Sequence, residues 1–141
     1  MKQSFTPITK KVELKHADQT IELTLRPLPL GYFQLTSLWI PEPQPVPTGR
    51  FVNAKPEMGP PSEEAMAAYY RTLNMCRLGY SLGDELSTVR PPDGAPMSDW
   101  AAYKDAVWQE FAAAGLLESD IGKLLKAFYE VNDGAGDPKK A

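Results

Sequence analysis

The sequence predicts an α+β protein, mainly helical, in which an N-terminal β-hairpin leads into about four helices joined by Pro-rich connectors. Three observations predict it. Apolar and polar residues alternate in two short runs before residue 27, apolar residues recur at helical spacing in segments after residue 28, and half of the 14 prolines crowd into residues 41–61. The stretch Leu25-Arg26-Pro27-Leu28-Pro29-Leu30-Gly31 marks the one change of architecture.

Val12 and Leu14 alternate with Lys11, Glu13 and Lys15, and Ile21, Leu23 and Leu25 alternate with Glu22, Thr24 and Arg26. Each run has one apolar face, so the two predict a hairpin over residues 10–26 that turns at Ala17-Asp18-Gln19. A lone hairpin is marginal in water, and this one needs the helices to cover it. Pro27 ends the second strand because it has no N–H for a ladder. Lys10, Lys11, Lys15 and His16 read as a solvated edge whose charges block pairing with other sheets.

Pro29 suits the first turn of a helix over 29–39, with Leu30, Phe33, Leu35, Leu38 and Trp39 available for packing and Pro41 as its stop. Residues 41–61 read as a Pro-rich loop or arm, a solvated polyproline-like connector. Loops of this length are functional or mobile, which makes it the first place to seek a partner contact. Ser62 is a natural N-cap for a helix over 63–78, with Met66, Tyr69 or Tyr70, Leu73 and Cys76 as its stripe and Arg71 and Arg77 towards its negative end. Gly79 and Gly83, followed by Pro91, Pro92, Gly94 and Pro96, predict a second irregular connector.

Ser98 is placed to cap a helix over 99–114, closed by Gly115 as C′ residue. Its stripe is Trp100, Tyr103, Val107 and Phe111, with Trp108 beside it. The last helix, over 118–132, carries Ile121, Leu124, Leu125 and Phe128 on one face, acidic Glu118 and Asp120 in its first turn, and Lys126 four residues before Glu130. The pattern therefore describes a single domain over 1–132 and a disordered tail over 133–141.

Composition narrows the function. A net charge of −3 and a pI near 5.2 argue against a nucleic-acid binder, since phosphate recognition needs a concentrated positive field. No run approaches the ~20 apolar residues of a membrane span, and the N-terminus lacks an apolar signal core, which reads as cytosolic. One cysteine, Cys76, excludes an internal disulfide, and with one histidine, His16, it predicts neither a metal site nor a bound cofactor. Phosphate-loop, dinucleotide, zinc-protease and C-x-x-C patterns are missing, so the chain is not expected to be an enzyme and no catalytic residue is assigned. The candidate partner-binding residues are aromatic, as interface anchors tend to be: Trp108, Trp39 and Phe51.

Two patterns carry a resemblance. An N-terminal two-strand segment leads into an L-x-P-L-x-x-G type junction, here Leu25 to Gly31 followed by Tyr32-Phe33, and the chain closes with a helix matching G-L-x-x-x-x-I-x-x-L-x-x-x-x-x-x-x-N through Gly115-Leu116, Ile121, Leu124 and Asn132. In both, the chain resembles the tail assembly chaperones of long-tailed bacteriophages; residues 40–97 contribute nothing to the likeness. The resemblance implies a non-enzymatic protein of the host cytoplasm, absent from the mature virion, that binds tape measure protein and tail tube subunits. It fixes no binding residue and is compatible with a homo-oligomer. It also implies a second, longer product made by ribosomal slippage, for which the Lys139-Lys140 codons offer a slippery run. A structural head or tail completion protein, or a small cytosolic regulator or enzyme, are the competing readings.

Overall fold

A computed structural model of the chain describes residues 1–134. The fold is α+β and mainly helical. Strands β1 (Lys10–His16) and β2 (Gln19–Leu25) form an antiparallel hairpin in the register Lys10↔Leu25 to His16↔Gln19. The turn needs two residues, Ala17 and Asp18, and Ala17 adopts φ 55, a conformation unusual for a residue with a side chain. Leu14 and Leu25 are buried, and the hairpin packs on α2 (Glu63–Leu82) and α4 (Glu118–Asn132), as its one apolar face requires.

Helix α1 (Tyr32–Trp39) starts three residues later than the proline signal predicts. Gly31 stands at its N-cap with φ 86, which no helix can include, so Pro29 lies in the preceding turn, its carbonyl accepting from Tyr32 N–H at 3.0 Å. This shifts the buried face to Tyr32, Thr36 and Ile40, with Phe33 and Trp39 half-buried, and leaves Leu30, Leu35 and Leu38 outside. Arg77 of α2 secures that face. Its guanidinium donates to Thr36 Oγ1 at 3.0 Å and Phe33 O at 2.9 Å, so it serves as a bridge between helices rather than a charge at a helix end.

Helix α2 is capped by Ser62, whose Oγ accepts from Ala65 N–H at 3.1 Å. It runs to Leu82, beyond the expected end at 78, because Gly79 is a packing position. A Cβ there would overlap the Tyr103 hydroxyl, so the glycine admits that ring while the helix continues. The true stop is Gly83, at φ 53, which opens a short 3₁₀ turn (Gly83–Glu85). Helix α3 (Met97–Ala113) is entered from Pro96, not Ser98. Pro96 is extended and its carbonyl already accepts from Asp99 N–H at 2.9 Å, which places Ser98 inside the first turn. Trp100, Tyr103, Val107 and Phe111 are buried as their spacing predicts.

Gly115, at φ 85, reverses the chain into α4, whose bounds agree with the sequence reading. Ile121, Leu124 and Phe128 are buried beside Ala127 and Val131, while Leu125 is half-buried. Glu130 pairs with Lys10 of β1 at 2.9 Å rather than with Lys126, so Lys10 helps to fasten the hairpin instead of lying on a solvated edge.

The largest departure concerns residues 41–61. They are not one long connector: only the proline-bearing flanks 41–45 and 60–61 lack regular structure, and Val46–Val52 (β3) and Lys55–Gly59 (β4) make a second antiparallel hairpin. Its two-residue turn has Asn53 at φ 53 and Ala54 at φ 63, positive at both positions as a type I′ turn demands. Of the tail expected over 133–141, Asp133 and Gly134 close α4, and 135–141, with the Lys139-Lys140 run, lie outside the described residues. Among the described residues no helix is long and apolar enough to cross a membrane.

Candidate functional site

Two surfaces present apolar groups that the chain itself leaves uncovered. The first lies at the corner of α3 and α4. The turn at Gly115 brings Leu116 and Leu117 against Phe111, with Leu116 N–H donating to Phe111 O at 3.1 Å. Trp108, Phe111, Leu116, Leu117 and Ile121 then line an open, mainly apolar cleft with the Glu118 carboxylate at its rim. Trp108 is half-buried and packs against the core, and the Arg71 guanidinium covers its ring at 4.8 Å. One face of the indole is therefore covered while the cleft stays open.

The second surface is the β3–β4 hairpin, every residue of β3 being exposed. The register Pro47↔Met58 and Phe51↔Pro56 puts those four side chains on one face. The opposite face carries Val46 and Val52 at its ends and a polar cluster between them: Thr48 Oγ1 donates to Glu57 Oε2 at 2.8 Å, and Arg50 lies 4.0 Å from the same oxygen. Phe51 is 73% exposed and Met58 53%. Apart from each other, neither strand packs extensively against any described element.

The three aromatic candidates thus part company. Trp108 lines the cleft and Phe51 projects from the hairpin, but Trp39 is occupied. It stacks on buried Trp100 with centroids 5.2 Å apart and planes 9° from parallel, and it meets Tyr32 edge-on. That makes it part of the joint between α1 and α3, not a free anchor. Sequence reasoning missed Leu38, 77% exposed on α1, and Met58; their exposure follows from the late start of α1 and from the hairpin itself.

The polar clusters are accounted for by structure. His16, read from the sequence as part of a solvated edge, is pinned: Nε2–H donates to Asp120 Oδ2 at 2.6 Å. The same carboxylate oxygen accepts from Leu117 N–H at 2.8 Å, so one aspartate caps α4 and holds the tip of β1. The Leu117 amide first, and His16 second, hold the Asp120 carboxyl below its ordinary range. Glu110 gathers the loop after the 3₁₀ turn by accepting from Ser87 N–H, Thr88 N–H and Thr88 Oγ1 at 2.7, 2.9 and 2.6 Å. Cys76 is fully buried, and burial pushes its thiol up to about 12, far from a reactive thiolate. Arg26 and Arg90 flank the Tyr80 ring at 5.0 and 4.9 Å, but Asp84 lines the same cleft and Asp93 pairs with Arg90, leaving no field of one sign.

Among protein-family models, curated proteins and solved structures, none matches the chain.

Proposed function

We propose that the protein is a non-enzymatic tail assembly chaperone of a long-tailed bacteriophage, binding tape measure protein and tail tube subunits in the host cytoplasm and leaving before the virion is complete. The observation that carries this reading is a single hydrogen bond. Leu28 N–H donates to Asn132 Oδ1 at 2.8 Å, and Asn132 Nδ2 donates to Phe128 O at 2.7 Å. Leu28 belongs to the junction pattern and Asn132 closes the terminal-helix pattern, so the two halves of the resemblance meet, 104 positions apart. Leu25, Ile121 and Leu124 of the same patterns lie in the shared core. Both patterns therefore belong to one physical unit, which supports the reading.

The client surface in this reading is the Trp108 cleft. A helix laid along it can insert apolar side chains between Trp108 and Leu117, and fixed tryptophans of this kind dominate binding energies. The test is co-expression with the tape measure protein of the same genome. The wild-type chain keeps the client soluble, and Trp108→Ala and Leu117→Glu lose it. Trp108 is half-buried, so its truncation costs less stability than Trp100→Ala, which removes a fully buried ring and costs about 3–5 kcal/mol. A client as soluble alone as with the chain, or the chain found in purified particles in stoichiometric amount, contradicts the reading and favours a completion protein.

A further inference from the structure

A cleft of about 280 Å³ lies between the end of α2 and the loop 86–90. That is far above the ~10–15 Å³ one water needs and close to the lower end of small-molecule sites. Two glycines one helical turn apart make room at its wall. A Cβ at Gly79 would overlap the Tyr103 hydroxyl, and a Cβ at Gly83 would stand 2.9 Å from the Arg26 guanidinium. The walls are held by the fold itself. Arg26 donates from its backbone N–H to Ser81 O at 3.0 Å and from Nε to Tyr80 O at 3.3 Å, while Glu110 secures the loop through Ser87 and Thr88.

Three groups lining this cleft have no hydrogen-bonding or ionic partner to match them. Tyr103 is 4% exposed, yet its hydroxyl makes no hydrogen bond among the described residues. Burial holds that phenol above its ordinary value, so it stays an O–H donor, and a buried donor left unpaired is costly until an acceptor arrives. The terminal nitrogens of Arg26 and the carboxylate of Asp84 form no ion pair among the described residues, with each other or with any other group. Arg90, by contrast, is already paired with Asp93 at 2.7 Å. The mixture of signs decides the ligand. A phosphate would set its charges against Asp84 and Asp93, and a neutral molecule would leave Arg26 and Asp84 unanswered. One anionic and one cationic group answer both, and Leu86 and Val89 add an apolar wall.

We infer that the cleft binds a small zwitterion, a free α-amino acid with an aliphatic side chain: its carboxylate accepts from Arg26 and the Tyr103 hydroxyl, and its ammonium donates to Asp84. The site shares no residue with the Trp108 cleft and stands apart from the chaperone reading. Titration of the full chain with L-leucine, followed by amide chemical shifts, tests it. The Gly79, Gly83 and Thr88 amides are expected to shift saturably. L-leucinamide, which lacks the carboxylate, and N-acetyl-L-leucine, which lacks the ammonium, should each bind at least about tenfold more weakly, as for loss of a charged hydrogen bond. Arg26→Gln should abolish the preference over L-leucinamide and Asp84→Asn the preference over N-acetyl-L-leucine; both side chains are exposed, so melting should shift little. Tyr103→Phe should weaken L-leucine binding and melt no lower than the wild type, since the hydroxyl has no protein partner. No saturable shift up to about 50 mM L-leucine, well past a millimolar Kd, overturns the proposal. So does equal binding of L-leucine and L-leucinamide, or inorganic phosphate competing as well as L-leucine, the mark of a plain anion site.

Discussion

The protein contains two hairpins of similar size, each closed by a two-residue turn with a strained alanine, and they have opposite fates. In β1–β2 the apolar face is made of Val12, Leu14, Leu23 and Leu25; two helices cover it, and Asp120 and Glu130 fasten it through His16 and Lys10. In β3–β4 the apolar face is Pro47, Phe51, Pro56 and Met58, and among the described residues no helix packs extensively on it. The first hairpin is stabilised by what it buries, the second by its own strand pairing, its turn and the Thr48–Arg50–Glu57 contacts. An amphipathic strand pair is thus no guarantee of a place in the core. The flanking chain differs as well, since prolines stand on both sides of the second hairpin and stiffen the segments that join it to the helices.

The comparison breaks most visibly under truncation. Leu25→Ala removes a fully buried side chain and should cost about 2–5 kcal/mol in a denaturant melt. Phe51→Ala, although it deletes a larger group, should stay within about 0.5 kcal/mol when measured under dilute conditions. Equal losses would place β3–β4 in the core and remove the distinction.

Acid should loosen the first hairpin, together with the loop that Glu110 gathers, since that carboxyl is also held low, desolvation being outweighed by its bonds from Thr88 and Ser87. Asp120 and Glu130 have carboxyls held below their ordinary values of 3.8 and 4.5, the first chiefly by the Leu117 amide and the second by its hydrogen bond from Lys10. Depressed carboxylate values contribute stability that is fully present above the ordinary values and is lost as pH falls through the lower native ones. Melting temperature should therefore hold down to about pH 4.5 and then fall. Asp120→Asn should be less stable at neutral pH and show a flatter acid limb. An unchanged acid limb would mean that this carboxylate does not fasten the hairpin.

The smallest effect concerns the turns. Ala17 and Ala54 both sit at positive φ, where glycine is free of the Cβ clash, and relief net of the added unfolded-state entropy is about 0.5–1 kcal/mol. Ala17→Gly should raise the global melting temperature, because its hairpin unfolds with the core. Ala54→Gly should leave it unchanged and slow only the local opening of β3–β4.

Most of the fold was legible where pattern and packing agree. The first hairpin, the Trp100–Phe111 stripe and α4 follow from spacing alone because each buries one regular face. Legibility failed where a residue had a tertiary reason. Gly79 reads as a helix end but is a seat for Tyr103, and Pro29 reads as a helix start although Gly31 sets it. The second hairpin was hidden by its prolines, which outweighed the β-forming Thr48, Phe51 and Val52 and the Asn53 turn signal. Of the candidate surfaces, Trp108 was visible as a tryptophan off its stripe. The occupation of Trp39 depends on Trp100, far away in sequence, and no local pattern reports it.

Native-state hydrogen exchange tests the contrast between the hairpins most directly. The ladder amides of β1–β2 should exchange with protection near that of global unfolding. Those of β3–β4 should be poorly protected, because the strands pack on little besides each other. Ladder protection in β3–β4 that equals that of β1–β2 would contradict the account, because the second hairpin would then belong to the folded core.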